Sequence, residues 1–155
     1  MEKLLLPSTV QIQDGDQPHR GRVVITPCYQ GYGTTIGNAL RRVLLSSLPG
    51  AAVTAVKIKG VQHEFSTVPG VKEDIVDIVL NLKKLRLRVF SPESVTVTLR
   101  AKGVGEVTAE SIKTTSDVEI INKDFVIATI TDAKTELEME LTVSQGRGYT
   151  PVEER

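Results

Sequence analysis

Two stretches of the chain alternate strictly between apolar and polar positions. In SVTVTLRA (94–101), Val95, Val97 and Leu99 fall on one face and Thr96, Thr98 and Arg100 on the other. In ELEMELTV (136–143), Leu137, Met139, Leu141 and Val143 point one way, leaving Glu136, Glu138 and Glu140 to face water. A period of two with one wet face predicts strands of a half-buried antiparallel sheet. TVQIQ (9–13) and GRVVITP (21–27), separated by the polar turn DGDQPHRG, read as a hairpin. AVTAVKIKG and VQHEFST (52–67) predict two strands joined around Gly60, and DVEII (117–121) and FVIATI (125–130) two more.

Elsewhere the period lengthens to that of a helix. In KEDIVDIVLNLKKL (72–85), Ile75, Ile78, Val79 and Leu82 recur at helical spacing, with Asp74, Asp77 and Asn81 opposite. Glu73 and Asp74 in the first turn and Lys83 and Lys84 in the last match the helix dipole. GYGTTIGNALRRVLLSS (31–47) predicts a helix from Thr35 to Leu48, stopped by Pro49 and Gly50. One side carries Ile36, Leu40, Val43, Leu44 and Ser47, a core face; the other carries Asn38, Arg41, Arg42 and Leu45. Leu45 has two readings. Single exposed leucines are ordinary, but an apolar side chain flanked by arginines also has the form of a small interface anchor. With no internal repeat, these elements make the fold class α+β.

Composition narrows the function. A length of 155 residues suits one ordinary domain or two small lobes. Nineteen basic and nineteen acidic residues cancel, so no global field draws in nucleic acid or anionic lipid. The stretch Lys83, Lys84, Arg86 and Arg88 is the one local basic cluster. The absence of Trp and a 4% aromatic content leave few platforms for stacking bases. A single cysteine, Cys28, excludes an internal disulfide and a Cys-based zinc cluster, and fits a reducing compartment. The leucine run in MEKLLLPSTV is too short for a signal peptide, and no stretch approaches the roughly 20 apolar residues of a membrane span. The expected setting is cytoplasmic.

Candidate chemistry is sparse. Gly31, Gly33 and Gly37 are spaced G-x-G-x-x-x-G, and Ile36 occupies the place of the third glycine in a dinucleotide fingerprint. The Lys-Ser/Thr pair of a P-loop is missing, as is an acidic residue about 20 positions on. A nucleotide-binding enzyme using the Gly31–Gly37 loop is the alternative reading; the other is that Gly31 and Gly33 permit a tight entry into the helix. His19 and His63 have no spaced partner for a metal, and Asp74 and Asp77 share a helix face without a third ligand. Ser46 and Ser47 have no neighbouring base, and nothing near Cys28 would lower its pKa. No catalytic, metal-binding or cofactor-binding residue is expected.

GYGTTIGNALRRVLLSSLPGAAVT, HEFSTVPGVKEDIVDIVLNLK, DVEIIN and GRGYTP occur in this order and at this spacing. Together they resemble the N-terminal region of the bacterial RNA polymerase alpha-subunit family, over residues from Arg22 to Pro151. The resemblance implies that residues 1–50 are the first part of a dimerisation lobe, a hairpin plus a long helix. Residues 51–155 would then be most of an inserted α+β lobe of mainly antiparallel sheet. It also implies a non-catalytic scaffold, in which two alpha subunits dimerise and then bind the beta and beta-prime subunits, without a cofactor.

On matching positions, the resemblance makes Asn38, Arg41, Arg42 and Leu45 the expected beta-subunit contacts, Arg42 foremost. His63, Glu64, Phe65, Ser66, Thr67 and Gly70 resemble the insert-lobe surface that also meets the large subunits. Ile36, Leu40, Val43, Leu44 and Leu48 resemble helix-packing and dimer-core positions. In one departure, Tyr29 and Gln30 stand where the family carries a charged pair. In another, the family continues beyond residue 155 into further insert strands, a returning half of the dimerisation lobe and a separate DNA-binding domain. Without those parts, the first helix is expected to leave its apolar face partly uncovered, and direct DNA binding is not expected.

Overall fold

The structure, a computed structural model, describes residues 6–17 and 20–151. Pro18 and His19, in the middle of the first predicted turn, lie outside the described residues. The chain divides into two compact units, Met1–Leu48 and Pro49–Arg155.

Among the described residues, the first unit holds the predicted hairpin and one helix. Strands β1 (Thr9–Asp14) and β2 (Gly21–Thr26) pair antiparallel, with Thr9 opposite Thr26 and Asp14 opposite Gly21. Helix α1 (Tyr32–Ser47) starts three residues before the predicted Thr35. Gly31, at φ 84°, makes the left-handed entry that a side chain would strain. Gly33 lies inside the helix, so of the two glycines thought to shape this entry only Gly31 does. Leu48 leaves the helix in extended conformation, and Pro49 and Gly50 begin the next strand instead of forming a separate stop.

The second unit is built around a four-stranded antiparallel sheet. In chain order it contains β3 (Pro49–Ile58), α2 (Ile75–Leu82), β4 (Leu87–Val89), β5 (Val95–Lys102) and β6 (Gly105–Thr108). A 3-10 turn (Ala109–Ser111) follows, then β7 (Ile112–Lys113), β8 (Val118–Ile120), β9 (Val126–Ile130) and β10 (Glu136–Arg147). The sheet order is β3-β10-β5-β7, and β4-β8 and β6-β9 form two-stranded ribbons.

The register explains why the alternating patterns make a core. Met139 on central β10 lies between Ile58 of β3 and Leu99 of β5, and Leu141 lies between Val56 and Val97. The apolar residues of β3 change phase between Val56 and Val53. An irregularity at Thr142/Val143 absorbs the extra residue, so Val53 comes opposite Val143. Against this sheet and the ribbons, Ile75, Ile78 and Leu82 of α2 join a single buried cluster.

Local differences from the sequence reading have physical causes. Helix α2 is shorter than 72–85 because Asp74 is its N-cap, accepting a hydrogen bond from Asp77 N at 2.7 Å. Lys83 is the C-cap and Lys84 lies beyond it, so neither belongs to the last turn. Asn81 is not purely solvent-facing: it is half-buried, and its Nδ2 donates to Ile127 O at 3.0 Å. Residues 61–67 form no strand but a series of turns, with one bridge between Thr67 and Asp74.

Candidate protein interfaces

Helix α1 carries two stripes along its length. Asn38, Arg41, Arg42 and Leu45 follow i, i+3, i+4, i+7 spacing on one side; Ile36, Leu40, Val43 and Leu44 follow i, i+4, i+7, i+8 on the other. Neither stripe is buried within the described residues. Ile36 is half-buried, Leu40 is 45% exposed, Val43 56%, Leu44 57%, Leu45 65% and the capping Leu48 59%. The predicted core face is therefore not a core within the described residues. Arg41 and Arg42 make no ion pair among the described residues; the Arg42 carbonyl accepts from Ser46 Oγ at 2.7 Å. The helix thus presents two cations and a leucine on one side and a row of aliphatic side chains on the other.

The second candidate surface is the segment from His63 to Gly70. Two turns shape it: Ser66 Oγ donates to His63 O at 2.7 Å, and Val71 N donates to Val68 O at 3.1 Å. Ile75 N donates to Ser66 O at 3.3 Å, which ties the segment to the start of α2. Gly70, at φ 77°, lies so close to Thr135 that a Cβ there would collide with its hydroxyl. The Gly70 carbonyl accepts from both Thr131 N, at 2.8 Å, and Thr131 Oγ1, at 3.2 Å. Thr135 Oγ1 donates to Pro69 O at 3.1 Å. From this anchored base Phe65 projects with 82% of its surface exposed. His63, Glu64 and Thr67 are also exposed, while Ser66 and Gly70 are half-buried. His63 and Glu64 further border a groove of about 580 Å³ whose apolar lining includes Val56, Val61, Val79 and Leu82.

The remaining candidates stay apart or serve structure. Lys83, Lys84, Arg86 and Arg88 are all exposed. Asn122 clamps the backbone between them, accepting from Arg86 N at 2.8 Å and donating to Lys84 O at 3.3 Å. Arg88 pairs with Glu119 at 3.6 Å. Glu138, expected to face open water, is half-buried and held between Lys59 and Arg100, with Lys59 Nζ at 2.8 Å. The Lys59 hydrogen bond, helped by the charge of Arg100, lowers the Glu138 pKa, and the same hydrogen bond raises that of Lys59. Among the described residues no group of three or more His, Cys, Asp or Glu is placed to hold a metal ion. No described helix is long and apolar enough to cross a membrane. Gly33 and Gly37 are helical residues, so they do not form the open, glycine-lined loop that a phosphate cradle requires.

Residues 56–155 match the family described as the RNA polymerase Rpb3/RpoA insert domain. The chain belongs to that family. It is 54% identical over 154 residues to a DNA-directed RNA polymerase subunit alpha of Symbiobacterium thermophilum, a match covering 99% of this chain and 48% of that protein. A protein of the same name from Desulforudis audaxviator is 56% identical over 133 residues, 86% of this chain and 42% of that one. One from Alkaliphilus metalliredigens is 48% identical over 153 residues, 99% and 47% of the two chains. The chain spans about half the length of these curated relatives. The family match covers nearly all of the second unit. Similarity to the relatives extends across the first unit too, including α1.

Sequence reasoning missed the fastening of the 63–74 segment. Its partners, Thr129, Thr131 and Thr135, lie more than fifty positions away in the sequence. Nothing in the local sequence of 63–74 points to threonines so far along the chain.

Proposed function

We propose that the chain is the assembly-scaffold part of a DNA-dependent RNA polymerase alpha subunit. Two copies pair through the aliphatic stripe of α1 (Ile36, Leu40, Val43 and Leu44, with Leu48). Asn38, Arg41, Arg42 and Leu45 dock the beta subunit, and the segment from His63 to Gly70 supplies a second contact with the beta and beta-prime subunits. In this reading the chain contributes position, not chemistry, to nucleotidyl transfer, and works in the cytoplasm without binding DNA directly.

The observation that carries this reading is α1 itself: sixteen residues with no buried side chain. A helix of this length is marginal in water unless it buries a face. Its apolar stripe and its uncompensated arginines both suit burial against other chains. The names of the relatives support the complex in question.

The test is to co-express the chain with the beta and beta-prime subunits and measure capture. Arg42→Ala is expected to cost about 2 kcal/mol of binding, roughly thirtyfold, as truncation of a desolvated interface arginine does. Circular dichroism should be unchanged. Undiminished capture would overturn the assignment of this face to the beta subunit.

A further inference from the structure

Glu73 was expected to serve the dipole of α2, but it lies just before the N-cap and reaches away from the helix. Its Oε2 accepts from Thr129 N at 2.6 Å and its Oε1 from Thr129 Oγ1 at 2.9 Å. The neighbouring Lys72 N donates to Thr129 O at 2.9 Å, and Val71 bridges to Ile130. Residues 70–72 thus run briefly as an antiparallel neighbour of β9, on the edge not used by β6. One more step of that ladder would direct the Thr129 N–H to the Lys72 carbonyl. The Glu73 carboxylate takes it instead. The chain can therefore leave the ladder at Lys72 and start α2 after Asp74 without stranding a half-buried donor.

The consequence reaches the exposed end of the segment. Asp74 bridges to Thr67, Ile75 N binds Ser66 O, and Ser66 Oγ closes the turn at His63. Fixing Glu73 on Thr129 fixes this chain of contacts and so the direction in which Phe65 points. We infer that Glu73 is a positioning residue for docking: its two bonds to Thr129 hold the His63–Gly70 segment in its binding-ready form. The inference rests on the reading of that segment as a docking surface. A side chain 82% exposed on a fixed base is an anchor whose ordering cost is already met before binding.

The experiment measures capture of co-expressed beta and beta-prime subunits by the full chain, together with amide hydrogen exchange of the chain alone. Phe65→Ala should weaken capture about tenfold or more, as loss of an aromatic anchor does, with exchange unchanged. Glu73→Ala should weaken capture on the order of tenfold, the scale of a lost charge-assisted hydrogen bond. It should also speed exchange over residues 63–72 while β5 and β10 stay protected. Glu73→Gln keeps an acceptor for Thr129 N and a polar group for Thr129 Oγ1, so it should restore most of the capture. Glu73→Ala combined with Phe65→Ala should be little worse than Phe65→Ala alone.

Normal capture by Glu73→Ala, with a clear loss in Phe65→Ala, overturns the positioning role and leaves the docking surface standing. Normal capture by Phe65→Ala removes the docking surface itself. If Glu73→Ala also exposes β5 and β10, Thr129→Val takes its place, since it removes only the Oγ1 bond. A several-fold loss of capture that disappears in the Phe65→Ala background supports the proposal, and a loss that persists unchanged there overturns it.

Discussion

Leu44 of α1 and Leu141 of β10 are the same side chain in regular, patterned elements, yet the first is 57% exposed and the second 0%. The contrast holds across the two units. Among the described residues every buried core residue lies from Ile58 to Val143, while in α1 none is buried. Pattern therefore reports which face is apolar, not whose surface covers it. In the second unit the covering surface is the same chain; for α1, the proposed function gives that role to other subunits.

The sharpest way to break this comparison is to truncate both leucines. Leu141→Ala should cost about 2–5 kcal/mol in denaturant unfolding of the chain, through lost transfer energy and a cavity at the centre of the sheet. Leu44→Ala should cost under about 0.5 kcal/mol at concentrations where the chain is monomeric. Equal losses would mean that α1 is packed in solution, and the contrast would collapse.

A smaller effect compares the two helix starts. Asp74 caps α2 with a side-chain bond, whereas Gly31 enters α1 with no side-chain cap at all. Asp74→Ala should lower global stability by about 1 kcal/mol, because α2 is part of the core. Gly31→Ala, strained by about 1–2 kcal/mol in its left-handed conformation, should instead reduce helical circular dichroism with little change in the global unfolding midpoint. A shift of that midpoint as large as the Asp74→Ala shift would show that α1 and the core unfold together.

The smallest effect concerns charge. Glu138 has its lowered pKa in the folded state, so its contribution is present at neutral pH and is lost as pH falls through that lowered value. The raised pKa of Lys59 works in the other direction, and its contribution is lost as pH rises through the raised value. Glu138→Gln should therefore lower Tm slightly at pH 7, less so in high salt, and not at all in acid. A gap that persisted in acid would mean that Glu138 acts through packing.

How much of this was legible in the sequence depended on the distance between partners. The strands β5 and β10 and the helix α2 were readable because each carries its own period. The segment 61–67 was misread because Val61, His63, Phe65 and Thr67 alternate with polar or small neighbours like a strand. A strand is made by its neighbour, however, and here Val61 N turns back to Ile58 O, Ser66 Oγ closes on His63 O, and Ser66 O accepts from Ile75 N at the start of α2. Glu73 looked like a dipole residue because Thr129 is 56 positions away. On α1 the stripe of Asn38, Arg41, Arg42 and Leu45 was readable from spacing alone. Its partner was suggested only by family resemblance.

The central position of β10 also bears on the order of events during synthesis. Within the sheet β3 bonds only to β10, and Ile58 waits for Met139. At ~5–20 residues per second, the roughly eighty residues between them take about 4–16 s to make. Throughout that interval on the ribosome β3 lacks its one partner among the described strands, and β5, once made, lacks its longer neighbour. The four described strands come together only when β10 emerges, so a translational pause shortly before residue 136 would leave β3 unpaired in this sheet for longer and β5 with only the two-residue β7 beside it.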